Sequence, residues 1–137
     1  MIRAHKAAVL SRLRADSAMA NIVIDGIVDP LAPVVPAPYV AVAMNSGKRT
    51  VERESSETPT SAEFRITVHS VGVDADQAGF FAERVMAQLL GWRPAVTGWT
   101  PQAVQHSRSL DAQPDTTVNP ATQYITDVFT LTSRRAS

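Results

Sequence analysis

A change in the spacing of apolar residues between positions 64 and 90 constrains the fold more than any other feature of the chain. Apolar residues at 64, 66 and 68 alternate with polar ones, which predicts a strand with one buried face. Asp74 is a good helix N-cap and Gly91 a good stop, so residues 75–90 are predicted to form a helix. Its apolar stripe comprises Ala78, Phe81, Ala82, Val85, Met86, Leu89 and Leu90.

The other segments predict a second helix and further strands. Residues 2–15 contain no Gly or Pro and are rich in good helix formers. Strands are expected at 39–44, 103–110 and 122–132, with a short strand or extended piece near 27–28. The predicted class is α+β: a mostly antiparallel sheet of about four to five strands packed with two helices, in the order α-β-β-β-α-β-β.

A length of 137 residues fits one domain, and we expect it to span residues 1–137. Residues 45–48 form a predicted turn, and the polar segment that follows is either a flexible loop, 46–61, or the tips of a long hairpin. A second loop is expected at 111–121 and a frayed tail at 133–137.

Composition excludes several classes of protein. The absence of cysteine excludes a disulfide scaffold and Cys-ligated metal sites. Thirteen basic and thirteen acidic residues cancel, which argues against binding nucleic acid by bulk charge. No apolar run is long enough for a membrane span and the N-terminus does not resemble a signal peptide, so no membrane partner is expected and the cytoplasm is the default compartment.

The charges are unevenly placed along the chain. Four basic residues lie in the first predicted helix and two in the tail, which leaves the intervening body acidic. Such a subunit can attract copies of itself where the basic and acidic regions meet. The basic residues are Arg3, Lys6, Arg12, Arg14, Arg134 and Arg135.

Motifs for catalysis are missing from the sequence. The histidines lack metal-ligand spacing, and neither a nucleophile elbow nor a Gly-rich phosphate loop is present. We therefore expect no enzyme, no catalytic or metal-binding residues and no cofactor. Two alternatives stay open: a small enzyme with a site made from His69, His106 and Asp127, and a nucleic-acid-binding module that uses Trp92, Trp99 and arginines.

Asp127 is the most informative acidic residue. It lies on the inward-facing alternation of the last strand, where we expect it to pair with Arg65 or Arg108 or to meet a partner. The mixed-charge segment after position 47 is either a solvated surface or a contact with a neighbouring subunit. The candidate interface residues are Lys48, Arg49, Glu52, Arg53, Glu54, Glu57, Arg12, Arg14, Asp115 and Asp127.

The order of the segments and their residue patterns resemble those of the phage tail-completion or tail-terminator family. Residues 7–16, AAVLSRLRAD, are similar to its opening LxxxLxAD. The family's vyDgvP and PYvvv stretch resembles residues 25–28, DGIV, which are followed by a Pro-rich link and by APYVAV at 37–42. The next strand of the family resembles FRITVHS at 64–70. The second helix, ending in LLGW, and the last strand occupy the matching places.

This resemblance implies a structural virion protein. Such subunits form a ring, expected to be a homo-hexamer, that caps the tail tube and joins it to the head. The implied partners are other copies of the chain, the tail-tube protein and head-tail connector proteins. The resemblance is also compatible with a chain that is monomeric in isolation. DNA would pass through the lumen without specific binding, and the protein would be assembled in the host cytoplasm and reside in the tail or neck. A neck head-tail connector is the alternative of the same class.

Overall fold

A computed structural model describes residues 2–26, 38–50, 61–115 and 122–135. This part of the chain contains two helices and six strands. In chain order they are α1 (Ile2–Arg14), β1 (Val23–Asp25), β2 (Tyr39–Thr50), β3 (Ser61–Gly72), α2 (Ala75–Leu89), β4 (Trp99–Pro101), β5 (Gln105–Asp115) and β6 (Thr122–Arg135).

The strands form one mixed sheet in the order β1-β2-β3-β6-β4, with β5 also paired to β6. All pairs are antiparallel except β1–β2, which is parallel. The α+β class with two helices and three strands between them is confirmed. The predicted strand count was wrong, because β6 is long enough to pair with β5 along its first part and with the three-residue β4 at its end.

Alternate residues of the central strands form the core face of the sheet. β3 places Phe64 opposite Leu131 and Ile66 opposite Phe129 of β6, and all four side chains are fully buried. Since strand residues two apart share a face, this register directs one row of apolar side chains toward the helices. Val9, Leu13, Val85 and Leu89 of the helices complete the same core cluster.

Helix α2 matches the sequence expectation at its start and on its buried side. The Asp74 carboxylate accepts a hydrogen bond of 2.8 Å from the backbone N–H of Gln77, as an N-cap does. Ala78, Phe81, Val85 and Leu89 are buried. Leu90 is 53% exposed, which corrects its assignment to the stripe: the helix ends at Leu89, and Leu90 adopts extended backbone angles.

The two ends of the described chain are joined by a buried polar contact. The His5 ring is fully buried, with Nε2 2.8 Å from Oγ of Ser133, and it contacts the rings of Phe64 and Trp99. The frayed tail predicted from residue 133 is therefore wrong through Arg135. Pairing with β4 and this contact with α1 keep the end of β6 in the sheet.

Both predicted loops are shorter than expected. β2 continues to Thr50, still in register with β3 at Ser61, and a bulge between Ser46 and Lys48 replaces the predicted turn. This favours the long hairpin that the sequence left open. β5 likewise continues to Asp115. The rest of both predicted loops, residues 51–60 and 116–121, lies outside the described residues. The strand expected near 27–28 also lies outside them, and the short strand that precedes it in the structure is β1.

Asp16 connects α1 to α2 through two hydrogen bonds, and a third closes the turn that follows α1. Asp16 follows the end of α1 and is 5% exposed. Its carboxylate accepts bonds from the Arg84 guanidinium at 2.8 Å, the Gln88 amide at 3.2 Å and the backbone N–H of Ala18 at 2.9 Å. The Arg84 bond, with those from Ala18 and Gln88, outweighs the effect of burial and lowers the pKa of Asp16 below its usual 3.8.

Substitution Asp16→Asn is expected to destabilise the protein at neutral pH and to weaken its acid sensitivity. Because the folded pKa of Asp16 lies below its ordinary value of 3.8, its stabilisation is fully present above that value and is lost as the pH falls through the folded pKa. Urea midpoints should differ at pH 7 and converge as the pH falls below the folded pKa of Asp16. Arg84→Gln removes the same bond from the other side and serves as the matched variant; a gap that persists at low pH would contradict this account.

Candidate functional site

An open groove of about 500 Å³ lies between α2 and the strands β5 and β6. The sheet presents its helix-facing side here, and α2 covers only part of it. The helix contributes Ala82, Glu83 and Met86, and the strands contribute Ser109, Ile125 and Asp127. The walls are mainly apolar, while two carboxylates lie at the rim and floor. This combination makes the groove the leading candidate for an interaction site in the described part of the chain.

Asp127 lies at the floor of the groove and is only 2% exposed. Nε2 of His106 donates to its carboxylate at 3.1 Å, and the His106 ring packs edge-on against Phe129. The predicted pairing with Arg65 or Arg108 was wrong.

A bulge in β5 explains the change of partner. In an unbroken register His106 opposite Phe129 would place Arg108 opposite Asp127. The register shift between His106 and Arg108 instead puts Arg108 opposite Val128, on the other face of the sheet. Arg65 stands opposite Thr130 and is likewise on that other face.

His69 does not join the Asp127–His106 pair. Its Nδ1 lies 2.9 Å from Oγ1 of Thr126, and residues 126 and 127 point to opposite faces of β6. Partial burial lowers the pKa of His69. The three groups of the enzyme alternative are therefore divided between the two faces of the sheet.

The described residues contain neither a cluster of metal ligands nor a membrane-spanning helix. Within residues 2–26, 38–50, 61–115 and 122–135, no three His, Asp or Glu side chains come together as metal ligands would. Neither α1 nor α2 has the length and apolar character needed to cross a membrane.

Arg12 and Arg14, two predicted interface residues, both make contacts within the subunit. Arg12 donates to the carbonyl oxygen of Gln88 at 3.1 Å, and its guanidinium lies 5.4 Å from the centre of the Trp92 ring. Arg14 donates to the carbonyl oxygen of Val23 at 3.2 Å. These bonds hold α1 against α2 and β1; a role between subunits stays a prediction.

The remaining predicted interface residues are scattered. Lys48 and Arg49 lie near the end of β2, and Asp115 ends β5 opposite Thr122. Those outside the described residues are Glu52, Arg53, Glu54 and Glu57.

Sequence reasoning identified Asp127 but missed the groove around it. Glu83 and Ser109 gave no signal of their own. The width of the α2 stripe was the available clue, because Ala82 and Met86 extend it beyond the four residues that the core buries. The surplus apolar width faces the groove.

Comparison with known proteins yields a structural match alone. No protein-family model matches the chain, and no curated protein matches it. Among solved structures, a chain described as "Virion of native gene transfer agent (GTA) particle" superposes with a TM-score of 0.66 at 21% sequence identity, over 96% of each chain. The protein therefore shares its fold, over nearly its whole length, with a chain of a gene transfer agent virion.

Proposed function

We propose that this chain is a structural virion protein, a subunit of a ring that caps the tail tube and joins it to the head. The observation that supports this most is the full-length fold match to a chain of a gene transfer agent virion. Coverage of 96% of each chain means that the shared unit is nearly the full length of both matched chains rather than one recurring motif. Fold alone does not imply function, so the sequence resemblance is needed as well.

The segments that resemble the tail-terminator family are those that build the fold. The APYVAV stretch enters β2, and FRITVHS lies within β3, its neighbour in the sheet. The opening segment overlaps α1 and ends at the buried Asp16. The resemblance in sequence motifs and the match in fold thus both support a structural virion protein.

The architecture suits a subunit that assembles with copies of itself. A ring needs two different faces on each subunit. The groove beside α2 is one candidate surface. Another is the backbone edge of β5, since β5 pairs only with β6 among the described strands. In this proposal the ring is a hexamer that meets the tail-tube protein below and connector proteins above, with DNA passing through without specific binding.

The alternatives have less support. A neck connector of the same virion shares the fold argument and differs only in position. The enzyme alternative is weakened by the separation of His69 from Asp127. The nucleic-acid alternative is weakened because Arg12 covers the Trp92 ring and Trp99 packs against the core.

Size-exclusion chromatography with light scattering, followed by negative-stain electron microscopy, tests the proposal. We expect rings of six times the 14.8-kDa chain mass, either in solution or after addition of purified tail tubes. A protein that stays monomeric with tail tubes, and that antibodies fail to detect in purified particles, would contradict a virion role.

Deletion of the gene distinguishes a protein that caps the tail tube from a neck connector. If the protein caps the tube, its loss leaves tube growth unchecked, and we expect detached tails of variable length. If it is a neck connector, detached tails should keep a uniform length. Tail lengths measured by electron microscopy in deletion and complemented lysates give the answer.

A further inference from the structure

The groove beside α2 has the chemistry of a socket for an arginine side chain. Ala82, Met86 and Ile125 supply apolar walls, Asp127 lies at the floor and the exposed Glu83 at the rim. Arginine joins an aliphatic stem to a planar cation, and it pairs with carboxylates better than lysine where water is partly excluded.

The opposite end of β6 presents arginines that lack acidic partners in the described structure. Arg134 and Arg135 end the strand, and the His5–Ser133 contact brings the first turn of α1, with Arg3, to the same end. We call these three residues the basic end. All are exposed, and none forms a salt bridge with another described residue. Glu63, nearby on β3, leaves the basic end net positive.

A subunit cannot insert its own basic end into its own groove. Asp127 and Arg135 are eight residues apart on one continuous strand, which separates them by about 27 Å. The strand is held on both sides by paired neighbours over most of this length. An arginine that enters the groove must therefore come from another molecule, and each copy of this chain offers a suitable one.

We infer that the groove of one subunit receives the basic end of a second copy of this chain, with Arg135 directed toward Asp127 and Glu83. The contact joins two different faces, so it repeats head to tail and closes into a ring when the rotation between subunits allows. This inference rests on the proposed function, since it names the partner that the ring requires. Charge complementarity between the two ends of β6 is the observation behind it.

Cysteine pairs test the contact directly, because the natural chain has no cysteine. Glu83→Cys and Arg135→Cys are made separately, mixed and oxidised with diamide, and the products are separated on a non-reducing gel. We expect disulfide dimers from the mixture and almost none from either variant alone. A chain with both substitutions should give a ladder that ends at the ring. Arg108→Cys, on the other face of the sheet, is the matched control for Arg135→Cys.

Charge reversal supplies a second measurement on folded protein. Arg135→Glu in the otherwise natural chain keeps Glu83 and Asp127 and should lower the yield of rings by about fivefold or more, as should 1 M salt. Circular dichroism checks that each variant keeps the native spectrum.

The outcomes separate this inference from the proposed function. Self-linked Glu83→Cys dimers, or equal yields with Arg108→Cys, would overturn the head-to-tail contact. If wild-type rings form while no Glu83–Arg135 pair links, the ring uses another contact: the inference is overturned and the proposed function stands. If neither rings nor linked dimers form, with or without tail tubes, both proposals fail.

Discussion

Phe64→Ala is expected to lower the free energy of unfolding by about 3–5 kcal/mol. Phe64 is fully buried on β3, which lies between β2 and β6 in the sheet. Its ring centre is 4.6 Å from that of His5, so it also packs against the contact that joins α1 to the end of β6. Truncation leaves a cavity that strands paired on both sides cannot close.

A loss of this size is a large share of the roughly 5–15 kcal/mol that stabilises a typical domain, so assembly should fail at growth temperature. Phe80→Ala is the matched control, because Phe80 is 48% exposed on α2 and its truncation leaves no enclosed space. Urea unfolding followed by circular dichroism measures both variants. Equal losses would show that the Phe64 ring does not lie in the core.

Gly72→Ala is expected to destabilise the protein by about 1–3 kcal/mol. A Cβ atom at position 72 would stand 2.5 Å from the backbone nitrogen of Ala78 and 2.9 Å from Cβ of Gln77. The nitrogen belongs to the first turn of α2, whose start is held by the Asp74 cap, so it cannot move aside without disturbing the helix. The close approach of β3 to α2 therefore requires glycine at this position.

Gly79→Ala is the matched control and should change stability in the opposite direction. Gly79 lies within α2, and a Cβ there meets nothing within 4 Å. Replacing a helical glycine by alanine removes backbone freedom from the unfolded chain and stabilises by about 0.5–1 kcal/mol. Thermal unfolding of both variants measures the difference. A Gly72→Ala variant as stable as the wild type would contradict the close approach.

Local pattern was sufficient for the elements that bury a regular stripe. The alternation at Phe64, Ile66 and Val68 and the helix that Asp74 caps were both predicted correctly, because strand and helix periods are visible in consecutive residues. The same reasoning placed Asp127 on the buried side of the last strand. In each case the residue type and its spacing were enough.

Elements that are very short, or that form only because a distant strand pairs with them, could not be predicted from the local residue pattern. β4 has three residues, too few to show a period, and it exists because the end of β6 offers it a pairing edge. Pairing with β3 likewise extends β2 through a segment that reads as a turn. Ser133 was assigned to a frayed tail, although its hydroxyl meets a histidine 128 residues away.

The sequence by itself determined the α+β class, the position of α2 and the core face of β3, since these depend on neighbouring residues. Only the tertiary structure decided what surrounds Asp127. A bulge in β5 turned Arg108 to the other face, which leaves His106 as the side chain beside the carboxylate. Register between distant strands is a property of the paired sheet, and a shift of one residue exchanges its faces. The groove, and the acidic floor that suits it to an arginine, follow from that register.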